Sequence, residues 1–123
     1  MATMTNISQP QTLKLKGHIK NENVTVLIDT ESTHNFLDIR VARKFKLFVH
    51  PVPYMKVMVL DGNTIEKVGK CHKVKLHIQE FKLESELYTL PLEGVDIILG
   101  VQWLQTLGTY SINHQKHFIK FKW

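Results

Sequence analysis

Three oxygen-bearing side chains stand together directly after an apolar run: Asp29, Thr30 and Glu31 follow Val24-Thr25-Val26-Leu27-Ile28, and the hydroxyls of Ser32 and Thr33 come next. A carboxylate flanked by hydroxyls can take a proton from water or give one to a leaving group, provided a rigid element holds it at a cleft. An Asp at a strand end is also an ordinary turn or cap residue, and this stretch alone favours that plainer role. Two other sets of reactive side chains compete with it. Seven histidines raise a metal site, but neither His72 with His77 nor His114 with His117 is joined by a carboxylate or thiol in ligand spacing, apart from Cys71 beside His72. No metal is expected on that pattern. Cys71 is the single cysteine, and on a strand the adjacent His72 would point to the opposite face, so a histidine-activated thiol is not expected either.

Positioning Asp29 is the task of the surrounding elements. Val24 to Ile28 is short, rich in β-branched residues and bounded by Asn21-Glu22-Asn23, which reads as a buried strand. Leu13 to Lys20 alternates apolar and polar with period two, and a turn at Asn21-Glu22-Asn23 would join the two strands as an antiparallel hairpin. Beyond the loop Thr30 to Asn35, the spacing of Ile39, Ala42 and Phe45 predicts a short helix capped by Asp38, with Arg40, Arg43 and Lys44 toward solvent. Pro51 and Pro53 force an extended path. Met55 to Leu60 and Thr64 to Val68 then form a second hairpin around Asp61-Gly62-Asn63, whose polar tip suits a projecting flap as well as an ordinary surface turn.

Further on, Val74 to Ile78 and Phe81 to Leu90 read as strands joined through Gln79-Glu80, and Asp96 to Gly100 as a short apolar strand closed by glycine. A helix over Val101 to Leu107 would turn Val101, Leu104 and Leu107 inward and stop at Gly108. Tyr110 to Ile112 and His117 to Trp123 complete the pattern. Many short strands, two short helices and no βαβ series indicate an all-β, barrel-like domain.

Bulk properties narrow the function. The 123 residues make one domain, and a hydrophobic fraction of 43% with 22% charged residues is ordinary for a globular chain. The net charge of +5 comes from scattered lysines without an Arg-rich block, which supports only weak attraction to polyanions and no specific nucleic-acid partner. Val95 to Val101 is interrupted by Asp96 and Gly100 and is far too short to span a membrane. Residues 1–11 read as a flexible lead-in without the pattern of a secretory signal, leaving 12–123 as the domain. One lone cysteine is compatible with a reducing compartment, and a cytoplasmic location is expected. A strand running to Trp123 leads us to expect a piece of a longer polypeptide.

The order of these parts resembles a retropepsin, the dimeric aspartic peptidase of retroelements. Val26-Leu27-Ile28-Asp29, Ser32-Thr33-His34-Asn35-Phe36, Asp96-Ile97-Ile98-Leu99-Gly100-Val101-Gln102-Trp103-Leu104 and Phe121-Lys122-Trp123 are similar to strings in the protease region of plant Gypsy-class retrotransposon polyproteins. The resemblance spans about residues 12 to 123 and implies a closed barrel with a flap hairpin. It also implies a homodimer that hydrolyses peptide bonds in a polyprotein substrate without a cofactor. Asp29 would pair with Asp29 of a second copy and share a proton with it, one carboxyl acting as base toward water and the other as acid. Thr30 would hydrogen-bond across the pair, and Glu31 with Asp61, Gly62 and Asn63 of the flap would face the peptide. Ile98-Leu99-Gly100 would pack beneath the aspartate loop.

One residue departs from the family pattern. Glu31 occupies the third position of the Asp-Thr-Gly triplet, where glycine allows a tight fold and close approach. At ~6 Å separation and an effective dielectric near 20, repulsion between Glu31 and the aspartate pair amounts to about 3 kcal/mol. Backbone strain is a second expected cost if the side chain points to solvent. Three functions therefore stand after the sequence: an active homodimeric endopeptidase, an impaired relative serving as a dimerisation or peptide-binding module, and, on charge alone, a nucleic-acid-binding domain.

Overall fold

Alternation in the first hairpin builds one wall of the molecule. The structure, a computed structural model, describes residues 2–5, 13–53, 57–58, 64–65, 68–108, 110–113, 115–116 and 118–121. Strands β2 (Leu13–Ile19) and β3 (Glu22–Ile28) bury Leu13, Leu15, Ile19, Val24, Val26 and Ile28 on one face. Their connection is tighter than the expected Asn21-Glu22-Asn23 turn. Ile19 already pairs with Glu22, and the two linking residues, Lys20 and Asn21, take φ values of 48° and 68°. Two successive left-handed residues match the right-handed twist of the strands, so the turn moves one residue upstream of its polar cluster.

Strand β10 (Ile97–Leu99) lies between β3 and β4 (Phe36–Asp38), parallel to the first and antiparallel to the second. On the other side β4 runs parallel to β9 (Phe81–Leu90), which pairs in turn with β8 (Val68–Ile78). A short contact of β8 with β2, Gly17 opposite Ile78 and His18 opposite His77, closes these six strands into a barrel. Gly17 makes that contact possible: a Cβ there would stand 2.6 Å from the His77 carbonyl oxygen. The expected closed, all-β barrel is present. Edge strand β5 (His50–Val52) adds to β8 and accommodates Pro51, as an edge can.

β8 is longer than its expected part, Val74 to Ile78. It runs from Val68 through an irregularity between Cys71 and Val74. There Cys71 is buried and His72 exposed, the opposite-face arrangement the alternation implied. Helix α1 (Ile39–Lys44) is capped as expected, with Asp38 Oδ1 accepting from the Arg40 amide, and it buries Val41 and Ala42 while Arg40, Arg43 and Lys44 are exposed. Helix α2 (Val101–Leu104) passes into a 3-10 turn at Gln105–Leu107 and ends at Gly108, φ 68°. Trp103, Leu104 and Leu107 are its buried residues, whereas Val101 is only half-buried.

Of the expected lead-in, residues 2–5 are described. Ala2–Thr5 forms strand β1, antiparallel to β12 (Phe118–Phe121), which also pairs with β11 (Tyr110–Asn113). Four residues are too few for a local signature; the strand is defined by its partner at the far end of the described residues. Phe121 joins this small sheet to the barrel, its fully buried ring lying 5.6 Å from Phe81 and 6.3 Å from Trp103. Strands β6 (Val57–Met58) and β7 (Thr64–Ile65) pair as the stem of the second hairpin. Asp61, Gly62 and Asn63 at its expected tip lie outside the described residues.

Candidate active site

Asp29 is the first residue past β3, half-buried, and its main chain is still tied to the barrel: its amide donates to the Leu99 carbonyl of β10 at 3.0 Å. The chain then folds back on itself. Ser32 N donates to the Asp29 carbonyl at 3.3 Å, and Glu31 N donates to Asp29 Oδ1 at 2.9 Å. One carboxyl oxygen is therefore held by a backbone donor while the other is left for chemistry. Thr30 and Glu31 both have exposed side chains.

That geometry revises the expected cost of Glu31. Its useful contact with Asp29 is made by the main-chain amide, which glutamate supplies as well as glycine. Among the described residues the non-glycine positions with positive φ are Lys20, Asn21, Lys46, Lys73 and Gln79, so Glu31 avoids the left-handed region where glycine is favoured. The expected backbone strain is absent. Charge and side-chain bulk remain.

Beneath the turn sits Gly100, in the place the resemblance implied. Val101 N donates to the Ser32 carbonyl at 2.7 Å, and a Cβ on Gly100 would fall 2.3 Å from Ser32 O and 2.6 Å from His34 O. Contact this close excludes every side chain. Asn35, only 1% exposed, fixes the far end of the loop. Its Oδ1 accepts from Gly100 N at 2.9 Å, its Nδ2 donates to Ser85 Oγ at 3.0 Å, and its carbonyl accepts from Tyr88 N at 2.9 Å. A buried side chain with its polar atoms satisfied costs little and specifies one arrangement. The sequence gives no hint of this role for Asn35, because an Asn in a polar loop carries no sign of burial.

Asp96 was likewise missed. Its carboxylate accepts from Thr25 N at 2.8 Å while its own amide donates to Thr25 O at 2.9 Å, clamping the start of β10 onto β3. Asp38, 1% exposed, pairs with Arg40 at 2.7 Å, and this contact raises the guanidinium pKa. His34 stands over the loop edge, its ring 5.2 Å from Tyr88 and its Nδ1 2.8 Å from Thr33 Oγ1. No three metal-binding side chains gather among the described residues, and His114 and His117 lie outside them.

The arrangement presents the half-buried Asp29 carboxylate on a braced turn with a backbone donor on one oxygen, and the exposed Glu31 two residues on. One copy of the chain supplies one Asp29. Comparison with known proteins fits this architecture. A family model described as retroviral aspartyl protease matches residues 3–122. Among solved structures, the retroviral protease-like domain of Ddi1 from Leishmania major superposes with a TM-score of 0.65 at 13% identity, over 90% of this chain and 88% of that one. No curated protein matches.

Proposed function

Since the chain belongs to the retroviral aspartyl protease family, we propose that this retropepsin-like domain cleaves peptide bonds through two Asp29 side chains brought together by homodimerisation, with activity attenuated by Glu31. Held at the twofold axis of an isologous dimer, the two carboxyls would share one proton because both cannot ionise at close range. The ionised Asp29 takes a proton from water as that water attacks the scissile carbonyl, and the protonated Asp29 donates to the carbonyl oxygen. Thr30 braces the two turns, and the hairpin stemmed by β6 and β7 covers the peptide. Its setting is a retroelement polyprotein of the plant Gypsy class, on the likeness of the Asp96 to Leu104 string.

The observation that supports this reading is the turn itself: Asp29 Oδ1 receives the Glu31 amide at 2.9 Å while Leu99 O receives the Asp29 amide at 3.0 Å. An aspartate serving only as a turn residue would not need a glycine-floored loop beneath it. Glu31 favours a second reading, a catalytically inactive dimerisation or peptide-binding module, because it adds two negative charges beside the pair. Peptide-library cleavage from about pH 4 to about pH 7 separates the two. The protease reading expects weak cleavage that Asp29→Asn abolishes and that Glu31→Gly raises by about ten- to a hundredfold near neutrality, where the added repulsion is largest. If neither the parent nor Glu31→Gly cleaves at any pH, the module reading replaces it.

A further inference from the structure

We propose that a groove at the end of the barrel away from Asp29 is a docking site for an acidic peptide segment carrying an apolar side chain. The groove, about 380 Å³ in volume, lies between the Leu47–His50 segment and the irregular part of β8. Ile19, Leu47, Cys71 and Val74 give it an apolar lining. Leu13, at the opposite end of β2 from Ile19, is the residue that pairs with Ile28 beside Asp29, so about 20 Å separates groove and turn. The groove is therefore separate from the proposed peptidase site.

Two features make this groove more than a surface hollow. First, Phe48 at its lip is 73% exposed, the large apolar side chain left in water among the described residues. Its ring lies 4.4 Å from His50, which lies 4.7 Å from His72, so an aromatic wall stands open on one side. Second, the charged side chains within the lining have one sign. Lys20, Lys73 and Lys75 line it together with the three histidines at 50, 72 and 77, and no carboxylate is among the lining residues.

The strand irregularity is what aims the cations. Cys71 pairs with Leu87 and Val74 with Ser85, so β8 carries one more residue than β9 over this interval, and Lys73 takes φ 52° to absorb it. His72 and Lys73 are exposed as a result, beside Lys75. Glu86 is shared between Lys70 at 2.8 Å and His72 Nδ1 at 3.6 Å, and Glu84 stands opposite Lys75 across the strand pair, so Lys20 and Lys73 are the lining cations for which no acidic neighbour is seen among the described residues. An apolar side chain would fill the lining and cover Phe48, and flanking carboxylates would meet Lys73 and Lys75. Nucleic acid fits less well: the lining is largely aliphatic, no arginine takes part, and a single phenylalanine is not a stacking platform for successive bases.

The test uses the full chain with Asp29→Asn, so that no peptide is consumed, and a fluorescein-labelled peptide Asp-Glu-Phe-Leu-Asp-Glu followed by anisotropy. Binding is expected, with amide chemical-shift changes confined to residues 47–50 and 71–77, and none with a Lys-for-acid counterpart. Lys73→Glu with Lys75→Glu should weaken it by about tenfold or more, the milder Lys73→Gln by about threefold and Phe48→Ser by about fivefold. These exposed positions leave thermal unfolding unchanged. Failure to bind at about 1 mM peptide, affinity indifferent to all of these variants, or shifts centred on residues 29–35 would overturn the proposal. Tighter binding of a twelve-nucleotide oligothymidylate with the same lysine dependence would overturn it as well and reassign the groove to nucleic acid.

Discussion

Alanine at position 100 tests the logic of the aspartate turn most directly. Its methyl carbon would lie 2.3 Å from Ser32 O, 2.6 Å from His34 O and 2.9 Å from the Ser32 carbonyl carbon. All three neighbours are backbone atoms, so no side chain can swing aside. Restoring ordinary contact requires the loop to retreat by about 1 Å, which breaks the 2.7 Å bond from Val101 N to Ser32 O and loosens the 2.9 Å bond from Gly100 N to Asn35 Oδ1. With about 1–3 kcal/mol for overpacking and about 1 kcal/mol for each compromised bond, Gly100→Ala should lose about 3–5 kcal/mol. In urea a loss of 3 kcal/mol lowers the unfolding midpoint by about 1–3 M. If the domain is an active peptidase, an ångström of movement at Asp29 should also cost about a hundredfold in kcat. Gly94→Ala is the control. Gly94 has φ 76° with nothing within 4 Å of its Cβ position, so conformational strain alone, about 1–2 kcal/mol, is at stake. A Gly100→Ala midpoint no lower than that of Gly94→Ala would refute the idea that the loop rests on this glycine.

Removing the Asp96 carboxylate with Asp96→Ala leaves Thr25 N without its acceptor and should cost about 2 kcal/mol by chemical denaturation, whereas Asp96→Asn, which keeps an oxygen, should cost less than half as much. The hydrogen bond from Lys70 lowers the Glu86 pKa below its ordinary value of 4.5, so the folded state binds fewer protons at Glu86 than the unfolded state does. The stabilisation is present above the ordinary value and is lost as pH falls through the lowered one; Glu86→Gln should remove that part of the acid dependence, and the effect should be small because the pair is partly exposed. Burial raises the Cys71 thiol pKa and leaves the residue 1% exposed, so a thiol reagent should label native protein at the rate of unfolding and label urea-unfolded protein at once. Rapid labelling without urea would contradict the placement of β8.

Where the sequence was readable, the signal was local. Leu13 to Ile28 alternates and turns within a few residues, Asp38 ends β4 and caps α1, and Gly108 stops the last helical turn with a positive φ. The unread parts depend on partners distant in the chain. Three-residue β4 is buried throughout and shows no alternation, and it lies inside the sheet between β9 and β10. Strand β1 exists through β12, and the extra residue in β8 appears only against β9. In the site, Asp29 and Gly100 were legible through the family likeness. Asn35 and Asp96 were not, since each acts by satisfying a backbone amide in another strand. The strain expected at Glu31 failed for a related reason: whether a position needs glycine depends on its φ, and residue type alone does not reveal it.

The bonds from Asp29 N to Leu99 O and from Val101 N to Ser32 O carry a consequence for the chain as it is made. The turn bearing the acid is made before the strand and helix that brace it. A nascent chain that has passed residue 35 and not yet residue 101 holds Asp29 on an unbraced loop. Non-local pairing of this kind also folds slowly relative to local hairpins. The framework around the acid is therefore complete only once residue 101 has been made, so a copy that stops short of it is a chain without a formed site.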